Sequence, residues 1–375
     1  MIENIIVYEH REDTNIHIVD ILDNFKSVIW HTSYSSTGDF EIYTYYTPLL
    51  KVGRFIRIAG KDEVGIIESV VRTTTNEEGD MLIVTGRMAT SILDRRIIYK
   101  NSRFLGLSWV EPVKISGNVQ ECIINLINTC IPNDSTHPRR MGLFYGCEIK
   151  SSNNENIIDD EGNEVEIEIL FESLSTYIET LLQKHKIGAK MVLHEIERGV
   201  YKLKYVLYVG EEKDNIFARE FDNLLQSEHA QSELNYKNVA IIKGAEYDSN
   251  GDEIPERHQA IVNDTDAGFA RKEILIDGSD ISGTYTNEND EEVVYSDSEY
   301  KKLLRHRGLN QLSFMFKTNN LTGSINLNIV ELEKDFSLGD VVIISDYDLY
   351  SRARINDITE VQDENGYNIE VQYGA

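Results

Sequence analysis

Proline is scarce in this chain, with 5 in 375 residues, and no stretch is rich in Pro, Gly or Ser. That excludes the usual flexible linkers, so the domains are expected to pack tightly. Cysteine is scarcer still. Cys122, Cys130 and Cys147 are odd in number and lack Cys-x-x-Cys spacing, which argues for a reducing compartment and against a disulfide frame. They read as small buried hydrophobes. No apolar run approaches the ~20 residues that span a bilayer. The opening Met1-Ile-Glu-Asn-Ile-Ile-Val-Tyr8 has neither a basic start nor a long apolar run, so it is not read as a signal peptide. Positive charge is outnumbered, 37 Lys and Arg against 64 Asp and Glu, for a formal charge of −27. Such a surface repels nucleic acid at contact range and gains nothing from anionic lipid. The expectation is no sequence-specific nucleic-acid binding and no membrane binding by the chain itself.

Catalytic patterns are missing too. The nine His residues form no His-Glu-x-x-His and no His-x-His pattern. His137, in a polar loop, and His194, on a strand, read as ordinary histidines. There is no Gly-x-Ser-x-Gly elbow, P-loop or Gly-x-Gly-x-x-Gly. Glu246, Asp248, Asn250, Gly251 and Asp252 resemble the start of a calcium loop, but the twelfth position is Arg257 where a bidentate Glu is needed. A hairpin turn is the better reading, and Asp159-Asp-Glu-Gly162 reads likewise. No catalytic residue, metal ligand or cofactor site is nominated. Arg95-Arg96 and Arg139-Arg140 read as partners for acidic surface, and Tyr43, Tyr45 and Tyr46 as core and interface aromatics.

What the chain does have is β pattern. At 41% hydrophobic and 27% charged it is a folded composition, long enough for two or three domains. The first hundred residues alternate: Phe40 to Tyr46, Phe55 to Ile58, Ile66 to Val71, a turn at Asn76 to Gly79, then Met81 to Thr85. The middle is mixed. Val119, Cys122, Ile123, Leu126, Ile127 and Cys130 share one helical face, with Asn118 and Glu121 as caps. Ser151 to Glu164 reads as an exposed loop. Leu174, Tyr177, Ile178, Leu181 and Leu182 mark a second helix, and Gly188 sits where it should stop. Met191 to Leu193 and Tyr201 to Tyr208 read as a hairpin around Arg198-Gly199. The last third returns to strands at Val239 to Ile242, Arg271 to Ile276, Ser324 to Asn328, Val341 to Ile344, Ala353 to Val361 and Asn368 to Gln372. A short helix carries Tyr300, Leu303 and Leu304, with Ser296 and Glu299 as its capping box. The expected division is a first β-domain at 1–100, an α+β middle region at 101–235 and a second β-domain at 236–375, with the helix near 297–306.

One pattern occurs twice. Phe40-Glu-Ile42, Gly53 to Ile58, Ile67-Glu-Ser-Val70, a turn ending at Gly79, and Met81 to Gly86 form the first copy. Ile325-Asn-Leu327, Gly339 to Ile344, Ile355-Asn-Asp-Ile358, a turn ending at Gly366, and Ile369 to Gly374 form the second. Gly53 to Gly79 is 26 residues and Gly339 to Gly366 is 27. Identity is low, but the landmarks keep their order, which points to an internal duplication. Three chains with two such modules would display six around one axis.

Gly38-Asp-Phe-Glu-Ile42, Val52-Gly-Arg-Phe-Ile56, Gly65-Ile-Ile67 and Val84-Thr-Gly-Arg-Met-Ala-Thr-Ser-Ile-Leu-Asp-Arg-Arg-Ile97 together resemble the tail-hub family of siphophages. That family is similar to the baseplate hub of contractile tails and to the hub part of type VI secretion spikes. Asn238 to Gly244, Arg271 to Ile276 and Tyr300 to Leu304 continue the resemblance over nearly the whole chain. It implies a mainly β fold with α+β insertions, containing two tube-type, β-barrel-like domains. It implies a homotrimer in a virion tail or tail-like particle, with a pseudo-six-fold ring. It implies tail-tube or distal tail-ring proteins on one side, a spike or tip protein on the other, and a tape measure protein as a further contact. The role implied is structural, not enzymatic. The second copy ends at Gly374-Ala375, so the expectation is that no spike, lysozyme, peptidase or receptor-binding module follows. The competing expectations are a tail-associated cell-wall hydrolase, which would show paired carboxylates in a cleft, and a carbohydrate-binding tail protein, which would show exposed aromatic platforms.

Overall fold

The computed structural model describes residues 1–374 other than 13, 77–78, 105–106, 134–135, 159–163, 248–255, 265–266, 287–291, 313–314 and 347–348. The fold is mainly β, with three α-helices among the described residues. By contact the chain forms two compact units: residues 1–229 with 320–375, and residues 230–319.

In the first unit sixteen strands are hydrogen-bonded into one sheet. Period-two sequence builds them. In Asp39–Tyr45 the side chains of Phe40, Ile42 and Thr44 are buried while Asp39, Glu41 and Tyr45 are exposed. Two four-strand runs share one pairing order. In the first, Phe55–Ile58 pairs Gly65–Thr75, which pairs Gly79–Met88, which pairs Asp39–Tyr45. In the second, Val341–Asp346 pairs Leu349–Asp363, which pairs Gly366–Gly374, which pairs Thr318–Ile325. All six pairings are antiparallel, and in both runs the first strand in sequence lies at the far end, beside the last.

The detail agrees as well. Lys51 to Arg54 and Ser337 to Asp340 are both turns closed by a backbone bond, at 3.1 Å in each. Each carries glycine at the third position with positive φ, +86° at Gly53 and +92° at Gly339, the geometry that a type II turn demands. Gly53 then donates to Ile67 O and Gly339 to Ile355 O, both at 2.8 Å. A bulge follows at the same step, between Ile67 and Ser69 and between Ile355 and Asp357. Two landmarks of the sequence repeat shift. Phe40 stands opposite Gly86 and Leu321 opposite Tyr373, so the partner of Phe40 to Ile42 is Leu321 to Gly323, not Ile325 to Leu327. Asn326 to Ile329 is instead a turn. The hairpin turn is one residue longer in the first run, so Gly86 matches Tyr373 rather than Gly374.

The α+β part of this unit packs two helices on the sheet. α1 (Val119–Cys130) starts at Asn118, whose side chain accepts from the N–H groups of Gln120 and Glu121. α2 (Leu174–Lys184) is stopped by Lys186, at φ +54°, and not by Gly188. Gly188 opens the strand Gly188–Glu197 and has another task. A Cβ there would lie 2.2 Å from the Tyr34 ring and 2.8 Å from the Tyr208 ring. The hairpin turn at Arg198-Gly199 forms as expected.

In the second unit, Val239–Tyr247 pairs Glu256–Val262 antiparallel and Glu273–Gly278 in parallel. α3 (Asp297–Leu312) buries Tyr300, Leu304 and Gly308. It is longer than the sequence suggests, but its capping box is as read: Ser296 N–H donates to Glu299 at 2.9 Å and Glu299 N–H to Ser296 Oγ at 3.3 Å. Gly308 lets the helix approach, since a Cβ there would meet Ile242 at 2.5 Å.

Two predictions follow from packing. Gly188→Ala should cost at least about 2–3 kcal/mol, because rigid rings must move, while Gly53→Ala, with strain but open space, should cost only about 1 kcal/mol. Chemical denaturation of both variants checks the order. Glu63 is buried, and burial pushes its carboxyl up to about 8. Its folded value lies above the unfolded one, so stability is lost as pH rises from the ordinary carboxylate range through that value. Glu63→Gln should leave thermal stability nearly unchanged at pH 4 and raise it by roughly 2–4 kcal/mol at pH 8.

Candidate assembly site

Where the two runs meet, the chain makes a seam. The strand Ser27–Ser33 pairs Asp39–Tyr45 of the first run on one side. On the other it pairs residues 357–362 of Leu349–Asp363, in the second run. Backbone pairing therefore passes from one run to the next without an edge. Ser27–Ser33 serves both through its two backbone edges. Val28 and Trp30 are buried in the first run's core, with Trp30 stacked on Phe40 at 5.5 Å between ring centres. His31 and Thr32 bond the second run.

Polar groups pin the register. His31 Nε2 lies 3.3 Å from Asp357 and its Nδ1 3.5 Å from Asp39. The hydrogen bond to Asp357 raises the His31 pKa; burial opposes it, and the charges of Asp357 and Asp39 add to the rise. Glu360 is buried and takes Lys61 at 3.1 Å and the Tyr367 hydroxyl. A buried carboxylate costs several kcal/mol unless it is paired in this way.

Just past the strand, Tyr34 closes the seam. Its N–H donates to Asn356 O, the bulge residue of the second run, at 2.8 Å. Its hydroxyl donates to Lys186 O at 2.9 Å and accepts from Gly210 N–H at 3.2 Å. Its ring fills the space over Gly188 and Gly339, where a Cβ would lie 2.2 Å away in both cases. Burial pushes its phenol up. Nothing in the hydrophobic pattern singles out Tyr34 or His31. The two Gly turns mark the runs in the sequence but not the strand that joins them.

The second run takes two strands from upstream of residue 236. Glu212–Ala218 pairs Val341–Asp346 in parallel, and Leu224–Ser232 lies beside Thr318–Ile325 as the last strand in the sheet order. Buried acids hold the first of these: Asp340 accepts from Glu211 N–H and Ser337 N–H, each at 2.9 Å, and takes Lys213 at 3.0 Å.

Among the other expectations some hold and some come out differently. Tyr45 and Tyr46 are exposed, not core residues, with Arg72 4.2 Å over the Tyr46 ring and Lys26 5.5 Å from Tyr45. Arg96 and Arg139 bind backbone carbonyls rather than acids: Arg96 that of Arg139, and Arg139 those of Tyr99 and Ile97. The Ile97 and Tyr99 carbonyls belong to the segment between Ala89–Arg95 and the strand Lys100–Phe104, and the planar fork of Arg139 meets both. Cys122 and Cys130 are buried and free, and burial pushes the Cys147 thiol up to about 12. His194 stacks on Tyr145 at 4.2 Å. Most of the candidate calcium loop and all of Asp159 to Gly162 lie outside the described residues.

Comparison with known proteins gives a fold and a family. The tail protein from Neisseria meningitidis MC58 matches with a TM-score of 0.52 at 12% identity, over 99% of this chain and 96% of that one. At that identity it shows the fold alone. The 43 kDa tail protein of prophage MuSo2 from Shewanella oneidensis matches at 13% identity over 99% and 98%, with a TM-score of 0.49. The prophage tail protein gp18 from Listeria monocytogenes EGD-e matches at 13% over 98% and 94%, with a TM-score of 0.48. No curated protein matches the sequence. The family model described as Siphovirus ReqiPepy6 Gp37-like protein matches residues 7–375, and the chain belongs to that family.

Proposed function

We propose that this chain is the structural hub of a phage tail, a homotrimer whose six similar β-modules form a pseudo-six-fold ring. The ring would meet a hexameric tail tube or distal tail ring on one face and a trimeric spike or tip protein on the other, with a tape measure protein as a further contact. The observation that carries this reading is the paired architecture: two runs with one strand order, one Gly turn and one bulge, joined by continuous backbone pairing. Such likeness supports an internal duplication, and a duplicated chain meets three-fold and six-fold partners with one surface. We place the first tube-type module in residues 1–100, the α+β region in 101–235 and the second module in 236–375. Strands at 212–218 and 224–232 complete the second module's sheet. The formal charge of −27 suits a lumen that nucleic acid passes without adhering. It is a scaffold that we assign, not an enzyme.

Sedimentation or native mass spectrometry of the purified chain, alone and with its tube or spike partner, tests this. Three chains per assembly are expected, and a monomer under both conditions overturns the reading. The seam also predicts a pH dependence. His31 has its folded pKa raised, so its contribution is full below about pH 6.5 and is lost as pH rises through the folded value. In a Glu63→Gln background, which removes the neighbouring titration, His31→Asn should lower the melting temperature at pH 5.5 and have little effect at pH 8.5.

A further inference from the structure

Two stretches of this acidic chain carry no acid. Residues 95–110 and 135–147 contain neither Asp nor Glu, although the chain as a whole has 64 in 375 residues. The same stretches hold Arg95, Arg96, Lys100, Arg103, Arg139 and Arg140. The fold ties the two together. Arg96 Nη2 donates to Arg139 O at 3.1 Å, and Arg139 donates to Tyr99 O at 2.8 Å and to Ile97 O. The Arg139 guanidinium carbon lies 4.0 Å from the centre of the Tyr99 ring.

Elsewhere arginines of this chain find carboxylates. Arg54 has Glu9, Arg87 has Glu68 and Asp94, and Arg352 has Glu212 and Asp214. Among the described residues no carboxylate pairs with Arg95, Arg96, Arg139 or Arg140. The neighbouring acids are engaged otherwise: Asp94 takes Arg87, and the Glu172 charge bears on Tyr177. Burial, then the like charges of Arg139 and Arg95, lower the Arg96 pKa, and the Arg96 Nε is buried without a partner. Three cations therefore press on one another without a counter-charge, an excess that an anion relieves. Arg95 is exposed to receive one.

An aromatic feature adjoins the cations. Phe171 is exposed at 65%, and its ring centre lies 6.5 Å from that of Tyr99. Its backbone is left-handed, at φ +60°, a conformation that bulky residues rarely adopt. Backbone bonds hold it there: Phe171 N–H donates to Ile98 O at 2.9 Å, and Ile98 N–H to Glu172 O at 2.8 Å. Ile97, bridged to Ser173, is exposed as well. A strained backbone that keeps an aromatic ring in water serves no core, and strain of this kind gathers at binding sites. Arg139, Tyr99 and Phe171 form one contiguous series, with a cation at one end and an open apolar ring at the other.

We propose that this face docks a short acidic segment of a partner protein, whose apolar side chain lies on Phe171 and Tyr99 and whose flanking carboxylates pair with Arg95 and its neighbours. Charge complementarity selects that occupant. The patch is positive only locally, on a chain of formal charge −27. A short segment stays within about one Debye length, ~8 Å, of the arginines. A nucleic-acid strand, charged at every nucleotide, runs past them onto repelling surface. The site goes beyond the hub reading and does not need three chains.

Fluorescence polarisation tests it on the full chain. The probe is a labelled, end-blocked peptide of Glu and Asp around one Phe. It should bind at low salt and lose at least about fivefold in affinity at ~0.5 M salt. Arg95→Glu should weaken binding at least about tenfold, and Arg95→Gln by less. Phe171→Gly should weaken it about fivefold or more while the melting temperature stays or rises, because glycine adopts positive φ without strain. Arg352→Glu, at a cation already paired, should change it by less than about twofold. A peptide that does not bind, or one weakened equally by Arg95→Glu and Arg352→Glu, overturns the site. Undiminished binding to Phe171→Gly overturns the apolar contact. Displacement by single-stranded DNA or polygalacturonate as readily as by unlabelled peptide overturns the acidic-segment assignment.

Discussion

Backbone pairing between Ser27–Ser33 and Leu349–Asp363 is the constraint on which the first unit depends. Without it the sheet would be two separate runs, each with an open edge. The strand is shared through its two backbone edges, with Val28 and Trp30 filling the first run's core and Ile29 exposed, and the chain turns away just past Ser33. Tyr34 makes that turn. Its N–H donates to the bulge residue of the second run, its ring fills the gap over two glycines, and its hydroxyl ties the start of Gly188–Glu197 to the same point through Lys186 O. A bulge on each long strand leaves one residue unpaired and twists the sheet at that step, and one of the two unpaired residues, Asn356, is the acceptor for Tyr34.

The chain is strongly acidic, yet its buried acids are individually managed. Glu360 has Lys61 and Tyr367, Asp340 has Lys213 and two backbone donors, and Asp346 has Arg219 and Ser227. Glu63 differs, since burial raises its pKa into the physiological range. The acids cluster near the seam and the second module, where they fix strand ends. The remaining negative charge lies outside. A surface of one sign adheres to little, and the joints beneath it are held by short polar contacts.

Much of this was legible in sequence. Period-two alternation located Phe40 to Tyr46 and Val341 to Ile344, and helical spacing with Asn118 and Ser296 located α1 and the start of α3. The turns at Gly53 and Gly339 were legible because positive φ favours glycine at the third turn position. What failed has physical reasons. Ser324 to Asn328 looks like a strand, but the strand ends at Ile325, and Asn326 side-chain and backbone bonds to residues 222 and 223 make the rest a turn. Gly188 looks like a helix stop because close packing and positive φ both select glycine, and a sequence does not say which. The seam itself was invisible: Ser27–Ser33 carries ordinary alternation, and its second partner lies more than three hundred residues away.

A cryo-electron microscopy reconstruction of the tail at the layer holding this chain tests the central claim most directly. Three chains with six superposable strand runs about the axis are what the account predicts. Six chains in that layer, or three whose runs around Gly53 and Gly339 occupy unrelated positions about the axis, would contradict it.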